Sequence, residues 1–146
     1  MADVLDVAAL VAMSQARLDE LYHASPAGPI PDGRAEGTVL VAPGTALTEP
    51  AAKLVHLLAW RQGKVFDAAR GELRNELLPT GILAVRATIA RGPSWFDGRE
   101  SIVLDYSHTS LVAHWIRDEI RLVAPGLYLG VVFLRRVKLL DFALRL

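Results

Sequence analysis

The sequence predicts an α+β fold that is mostly β: an antiparallel meander or β-barrel, with an N-terminal helix and a helix after the first strand. Three observations lead there. Apolar residues recur at helical spacing only near the start and again around residues 48–60. From Gly63 onward the period moves toward two, with short runs divided by Gly92-Pro93, Asp97-Gly98 and Pro125-Gly126. Short sequential strands joined by tight turns imply antiparallel neighbours, which can close on themselves.

Asp3 is placed to cap a helix running to about His23, in which Val4, Ala8, Val11, Leu18 and Tyr22 mark the apolar side. Residues 25–33 hold three prolines and two glycines, which neither a helix nor a central strand tolerates, so they form an extended connector lying against the sheet. A first strand is expected over residues 34–42. Thr48, Glu49 and Pro50 then make a helix start: a capping hydroxyl, an acid in the first turn, and a proline where a missing N–H does no harm. That helix reaches about Trp60 and is apolar over more than one stripe, as in a helix covered on two sides or lying over an apolar cavity. Further strands are expected over 64–67, 82–91, 101–106, 116–123, 127–134 and 137–145. The run from 127 to 134 is apolar on both faces and so buried on both. Asp97-Gly98 is the strongest hairpin signal, and Arg135, Arg136 and Lys138 read as a solvated hairpin turn.

With 146 residues and 52% hydrophobic content, the chain is expected to form one domain over 1–146, the helix and connector of 1–33 packed on the rest. Without cysteine it has no disulfide or thiolate site, and its histidines lack metal-ligand spacing, so no metal and no cofactor is expected. Net charge is zero and the basic residues are scattered, which argues against a nucleic-acid partner. The longest uncharged run near the end spans only 13 residues, too short for a membrane helix, which needs about 20. The acidic start does not read as a secretory signal, so a cytoplasmic protein is expected. No nucleotide-binding glycine motif and no serine-hydrolase elbow occurs.

Ser94-Trp95-Phe96-Asp97-Gly98, Ile102-Val103-Leu104-Asp105-Tyr106-Ser107, Trp115 through Arg121 and Ala124 through Gly130 together resemble a group of uncharacterised bacterial proteins. These look like small lipocalin-like (calycin-type) barrels. The resemblance covers roughly residues 60–146 and implies the barrel fold, with no activity attached.

Side-chain alternation singles out polar residues in unusual places. Asp118 shares a face with Ile116, Ile120 and Leu122, where a carboxylate is costly unless paired. It either bonds backbone at a strand end or faces a cavity and handles a ligand or proton; Arg86, Tyr106 and Tyr128 are the donors available to it. The opposite face, Arg117, Glu119, Arg121 and Val123, reads as a charge ladder fit for water. Arg86 lies with Ile82, Ala84 and Thr88, and is a partner for an inward acid only if that face lines the interior. Asp105, Tyr106 and His108 form a titratable group at a strand end, where acid–base residues are often placed, although such spacing is common in loops. Trp115, Tyr128 and Phe133 are core or pocket-lining aromatics.

The leading functional expectation is binding of a small apolar molecule (a lipid, terpenoid or pigment) in the barrel interior, with Arg86, Tyr106, Trp115, Tyr128 and Phe133 as ligand contacts. The alternative is a cofactor-independent isomerase, cyclase or hydrolase using Asp118, Asp105 or His108 as acid or base. A third is a homodimer formed through exposed strand edges.

Overall fold

The computed structural model describes residues 5–40, 63–76, 84–107 and 115–146, the side chains of 75–76 and 84–85 excepted. Two helices, α1 (Val7–Val11) and α2 (Gln15–Ala24), precede eight strands: β1 (Gly33–Leu40), β2 (Gly63–Asp67), β3 (Glu72–Glu76), β4 (Ala84–Pro93), β5 (Glu100–Asp105), β6 (Ile116–Ala124), β7 (Leu127–Leu134) and β8 (Val137–Arg145). Each strand pairs antiparallel with the next, and β1 pairs with β8, closing the barrel. Closure gives each described strand a neighbour on both sides. A barrel of about eight strands is just wide enough to be filled by side chains or to hold one small ligand. No described helix is long and apolar enough to cross a membrane.

The single N-terminal helix is corrected to two. Asp6 caps α1, its carboxylate accepting from the Ala9 N–H at 2.8 Å, and Ser14 caps α2, its hydroxyl accepting from the Arg17 N–H at 3.2 Å. A second capping side chain within the apolar period lets the chain bend between them. Leu10, Leu18 and Tyr22 consequently all reach the outer barrel wall at Leu127, Leu129, Val131 and Phe133. Asp3 and the helix expected over 48–60 lie outside the described residues.

Strand β3 was not expected. Glu72, Leu73, Arg74, Asn75 and Glu76 offer one apolar side chain, Leu73, which points into the barrel core. Its pairing with β2 and β4, rather than its own composition, makes it a strand.

Strand β7 is buried along nearly its whole length. Tyr128 and Val132 belong to the interior cluster, whereas Leu127, Leu129, Val131 and Phe133 lie under the helices. Gly130 pairs with Phe142 on β8, and a Cβ there would stand within 2.5 Å of the ring. The glycine is what lets Phe142 lie across the interior.

The proline-rich connector stoppers one end. Ala27 and Ile30 join the interior cluster. The Leu122 N–H donates to the carbonyls of Pro26 and Ala27, and the Tyr128 hydroxyl donates to the Pro29 carbonyl at 2.6 Å. Gly28 has φ +76°, and a Cβ there would strike Leu122 at 2.5 Å. At the opposite, far end β1, β5 and β7 finish and β2, β6 and β8 begin.

Candidate functional site

Three polar side chains meet inside the barrel near the far end. Lys64 is the second residue of β2 and shares its inward face with Phe66. Asp118 is the third residue of β6, and Tyr106 follows the end of β5; all three are at most 6% exposed. The Lys64 ammonium donates to the Tyr106 hydroxyl at 3.3 Å, the hydroxyl donates to Asp118 Oδ2 at 3.3 Å, and Lys64 Nζ lies 3.6 Å from the same oxygen. The Phe142 ring centroid is 5.5 Å from Nζ. Around them stand Leu104, Ile120, Val132 and Leu140.

These contacts are long, and they leave one acceptor unmet. Asp118 Oδ1 is buried without a hydrogen-bond partner among the described residues. Burial pushes the Asp118 carboxyl above the usual carboxylate range, an effect that Lys64 and Tyr106 only partly oppose. Burial likewise lowers the Lys64 ammonium, against the pull of Asp118. Burial thus works against the charged form of both groups, and their mutual attraction works for it.

Of the residues the sequence singled out, Asp118 and Tyr106 come together here, Tyr106 supplying one of the donors expected for the acid. Lys64 was missed, although alternation alone places it beside inward Phe66. Tyr128 lies inside the barrel but is engaged with the connector at the other end. Arg86 is on the outer wall, beside a cleft of about 180 Å³ shared with Val65, Asp67, Glu72 and Arg74, because Ala87 and Ile89 take the inward face. Asp105 is half-buried, and its carboxylate accepts from the Ser107 N–H at 2.8 Å. His108 lies outside the described residues. Trp115 is exposed under the Arg135 guanidinium, and Phe133 packs against Trp95 on the outer wall. The interior therefore gathers Asp118, Tyr106 and Tyr128, and leaves Arg86, Trp115 and Phe133 outside it.

The charge ladder on β6 is also corrected, for Glu119 and Arg121 are wholly buried. Helix α2 and the turn between β4 and β5 cover them. Glu119 accepts from the hydroxyls of Tyr22 and Ser94, the Trp95 N–H and the Arg117 guanidinium. Arg121 forks onto both oxygens of Asp97 at 2.6 and 2.7 Å, and also donates to the carbonyls of Tyr22, Arg99 and Glu100. The Arg121 fork, aided by His23 and Arg99, holds the Asp97 carboxyl far below its usual range. These bonds tie helix, turn and wall together.

No family model matches the sequence, and no curated protein matches it. Among solved structures the chain is similar to a protein from Thermomonospora curvata, with a TM-score of 0.64 and 22% identity over 92% of this chain and 88% of that one. At that identity the likeness is one of fold: a closed barrel that could hold a ligand.

Proposed function

We propose that the barrel binds one small, mainly apolar molecule in its interior and receives that molecule's polar group at Lys64, Tyr106 and Asp118. The observation that carries this reading is a buried lysine–tyrosine–carboxylate cluster, with an unmet acceptor, in an otherwise apolar interior. Burying three polar groups that are imperfectly paired costs stability, and such arrangements concentrate where a ligand completes them. The ligand class is that of a lipid, terpenoid or pigment, and the reading extends the resemblance to lipocalin-like barrels. A second reading, an enzyme that moves a proton between Asp118 and a bound substrate, draws on the opposed ionisation shifts of Asp118 and Lys64.

Solvent extraction and mass spectrometry of the purified protein test the binding reading. One apolar compound is expected from the wild type and a much lower yield from Asp118→Asn, with the outer-wall variant Arg86→Ala retaining it. Equal yield from all three, or no compound together with no displacement of anilinonaphthalene sulfonate by added fatty acids or alcohols, overturns it. Turnover lost in Asp118→Asn with ligand still bound selects the enzyme reading.

A further inference from the structure

The interior cation is a lysine in a chain that otherwise favours arginine. Of its sixteen basic residues three are lysine: Lys53, Lys64 and Lys138. Lys138 is held by the carboxylates of Asp19 and Asp141 at 2.9 and 3.0 Å. Where this protein needs a buried permanent cation it uses Arg121, whose planar fork is met on every side. Lys64 differs in each respect. Its described polar partners are a phenol and one carboxylate oxygen, both beyond 3.2 Å. A guanidinium stays protonated in proteins, whereas an ammonium can give up its proton and become a nucleophile.

We infer that Lys64 is a covalent attachment point, forming an imine with an aldehyde or ketone carried by the apolar ligand. The inference rests on the interior-binding reading and names the ligand's polar group as a carbonyl. The free amine attacks the carbonyl carbon, the C–N bond forms as the C=O π pair moves to oxygen, and a proton passes from the attacking nitrogen to that oxygen to give a carbinolamine. The neighbouring carboxyl of Asp118, 3.6 Å from Nζ, supplies the proton with which that hydroxyl leaves as water. The protonated imine that results keeps one positive charge where the ammonium had been. Asp118, now a carboxylate, faces it as counter-ion, with Oδ1 free to accept from the water or the iminium N–H. Amine and carbonyl become imine and water, with no oxidant or reductant required. Tyr106, bridging the two groups, is a positioning residue that holds Nζ toward the carboxyl. Burial also lowers the ammonium pKa of Lys64, and each unit of lowering raises the free-amine fraction at neutral pH about tenfold.

The test is reductive trapping. Wild-type protein is incubated at neutral pH with octanal, reduced with borohydride, digested and mapped by mass spectrometry. Octanol and octanal are separately titrated against bound anilinonaphthalene sulfonate. The octyl adduct is expected on Lys64, roughly tenfold or more above Lys53 and Lys138, and above the terminal amine. It should disappear in Lys64→Arg, persist in the outer-wall variant Arg86→Ala at unchanged octanol displacement, and form several-fold more slowly in Asp118→Asn compared at equal octanal occupancy. The wild-type map decides the matter even if Lys64→Arg does not fold. Displacement by both compounds without an adduct on Lys64, or an adduct spread evenly over all amines, overturns the covalent inference and leaves the binding reading intact. Failure of both compounds to displace the fluorophore removes the two together.

Discussion

Charge is buried on both faces of strand β6. On the outer face of β6, Glu119 and Arg121 are wholly buried yet met on all sides by α2, the β4–β5 turn and each other's neighbours. On the inner face, Asp118 shares long contacts with Lys64 and Tyr106 and keeps an oxygen unmet among the described residues. Buried polar groups stabilise when their network is complete and cost stability when it is partial. The outer cluster is therefore architecture. The inner one costs stability, and under the proposed function a bound molecule completes it. Its carboxyl and ammonium both drift toward neutrality, whereas Asp97 on the outer face stays ionised far into acid.

The largest expected effect breaks the outer strut. Arg121→Met removes the fork from Asp97, leaving its carboxylate to His23 and Arg99, and takes one donor from each of three carbonyls; truncating one partner of such a buried pair costs about 3–5 kcal/mol. Urea denaturation of the variant should show that loss. A change under about 1 kcal/mol would mean the strut carries no more than an exposed ion pair does.

The inner pair should respond with the opposite sign. Replacing both members, Lys64→Met with Asp118→Leu, exchanges a poorly bonded pair for apolar packing, and such exchanges range from neutral to about 1–4 kcal/mol stabilising. The melting temperature should rise while interior ligand binding is lost. A double variant less stable than the wild type would make the inner cluster structural after all.

These two faces were unequally legible in the sequence. Alternation along residues 116–123 sorted Asp118 inward with Ile116 and Ile120, and Glu119 and Arg121 outward, as found. What alternation does not carry is what covers the outward side. Burial of Arg121 depends on α2, nearly a hundred residues earlier in the chain, and on Asp97, which reads locally as a turn residue. Lys64 was legible in principle, being two residues from inward Phe66, but its strand is short and a lysine at a strand start looks solvated. Strand β3 was not legible, because its one apolar residue gives no period and its neighbours decide its state.

The pH dependence of two conservative variants sharpens the contrast. Asp97 has a depressed pKa in the folded state, so its contribution is fully present above the ordinary aspartate value of about 4 and is lost as pH falls toward the folded value. The stability gap between wild type and Asp97→Asn should hold steady at neutral pH and narrow in acid. Asp118 has a raised folded pKa, so the wild type bears a penalty that grows as pH rises from about 4 toward that folded value. Asp118→Asn should therefore gain on the wild type as pH rises. Denaturation midpoints measured from acid to neutral pH give both slopes, and slopes of the same sign would erase the distinction drawn between the two faces.

The smallest effect concerns the turn between β7 and β8, where Arg135 and Arg136 both adopt positive φ, 50° and 70°. A two-residue turn of this kind favours Asn-Gly, because left-handed backbone costs an L-residue about 1–2 kcal/mol. The arginines have an offsetting use: Arg136 stacks on Trp95 at 4.6 Å and Arg135 on Trp115 at 4.1 Å. Stacking of this sort contributes about 0.5–1 kcal/mol at exposed sites. Arg136→Gly relieves the backbone, forfeits the stacking, and adds unfolded-state freedom that works against folding. Its net effect should be only a few tenths of a kcal/mol, since the opposing terms are each about 1 kcal/mol. A double-mutant cycle with Trp95→Leu separates them. Trp95 also packs against Arg117 and Phe133, so its own loss is larger, but the cycle cancels that common cost. In the leucine background no stacking remains to forfeit, and Arg136→Gly should be more favourable by about 0.5–1 kcal/mol. A coupling of zero would mean that the guanidinium merely lies over the indole and that the strained turn has no compensation there.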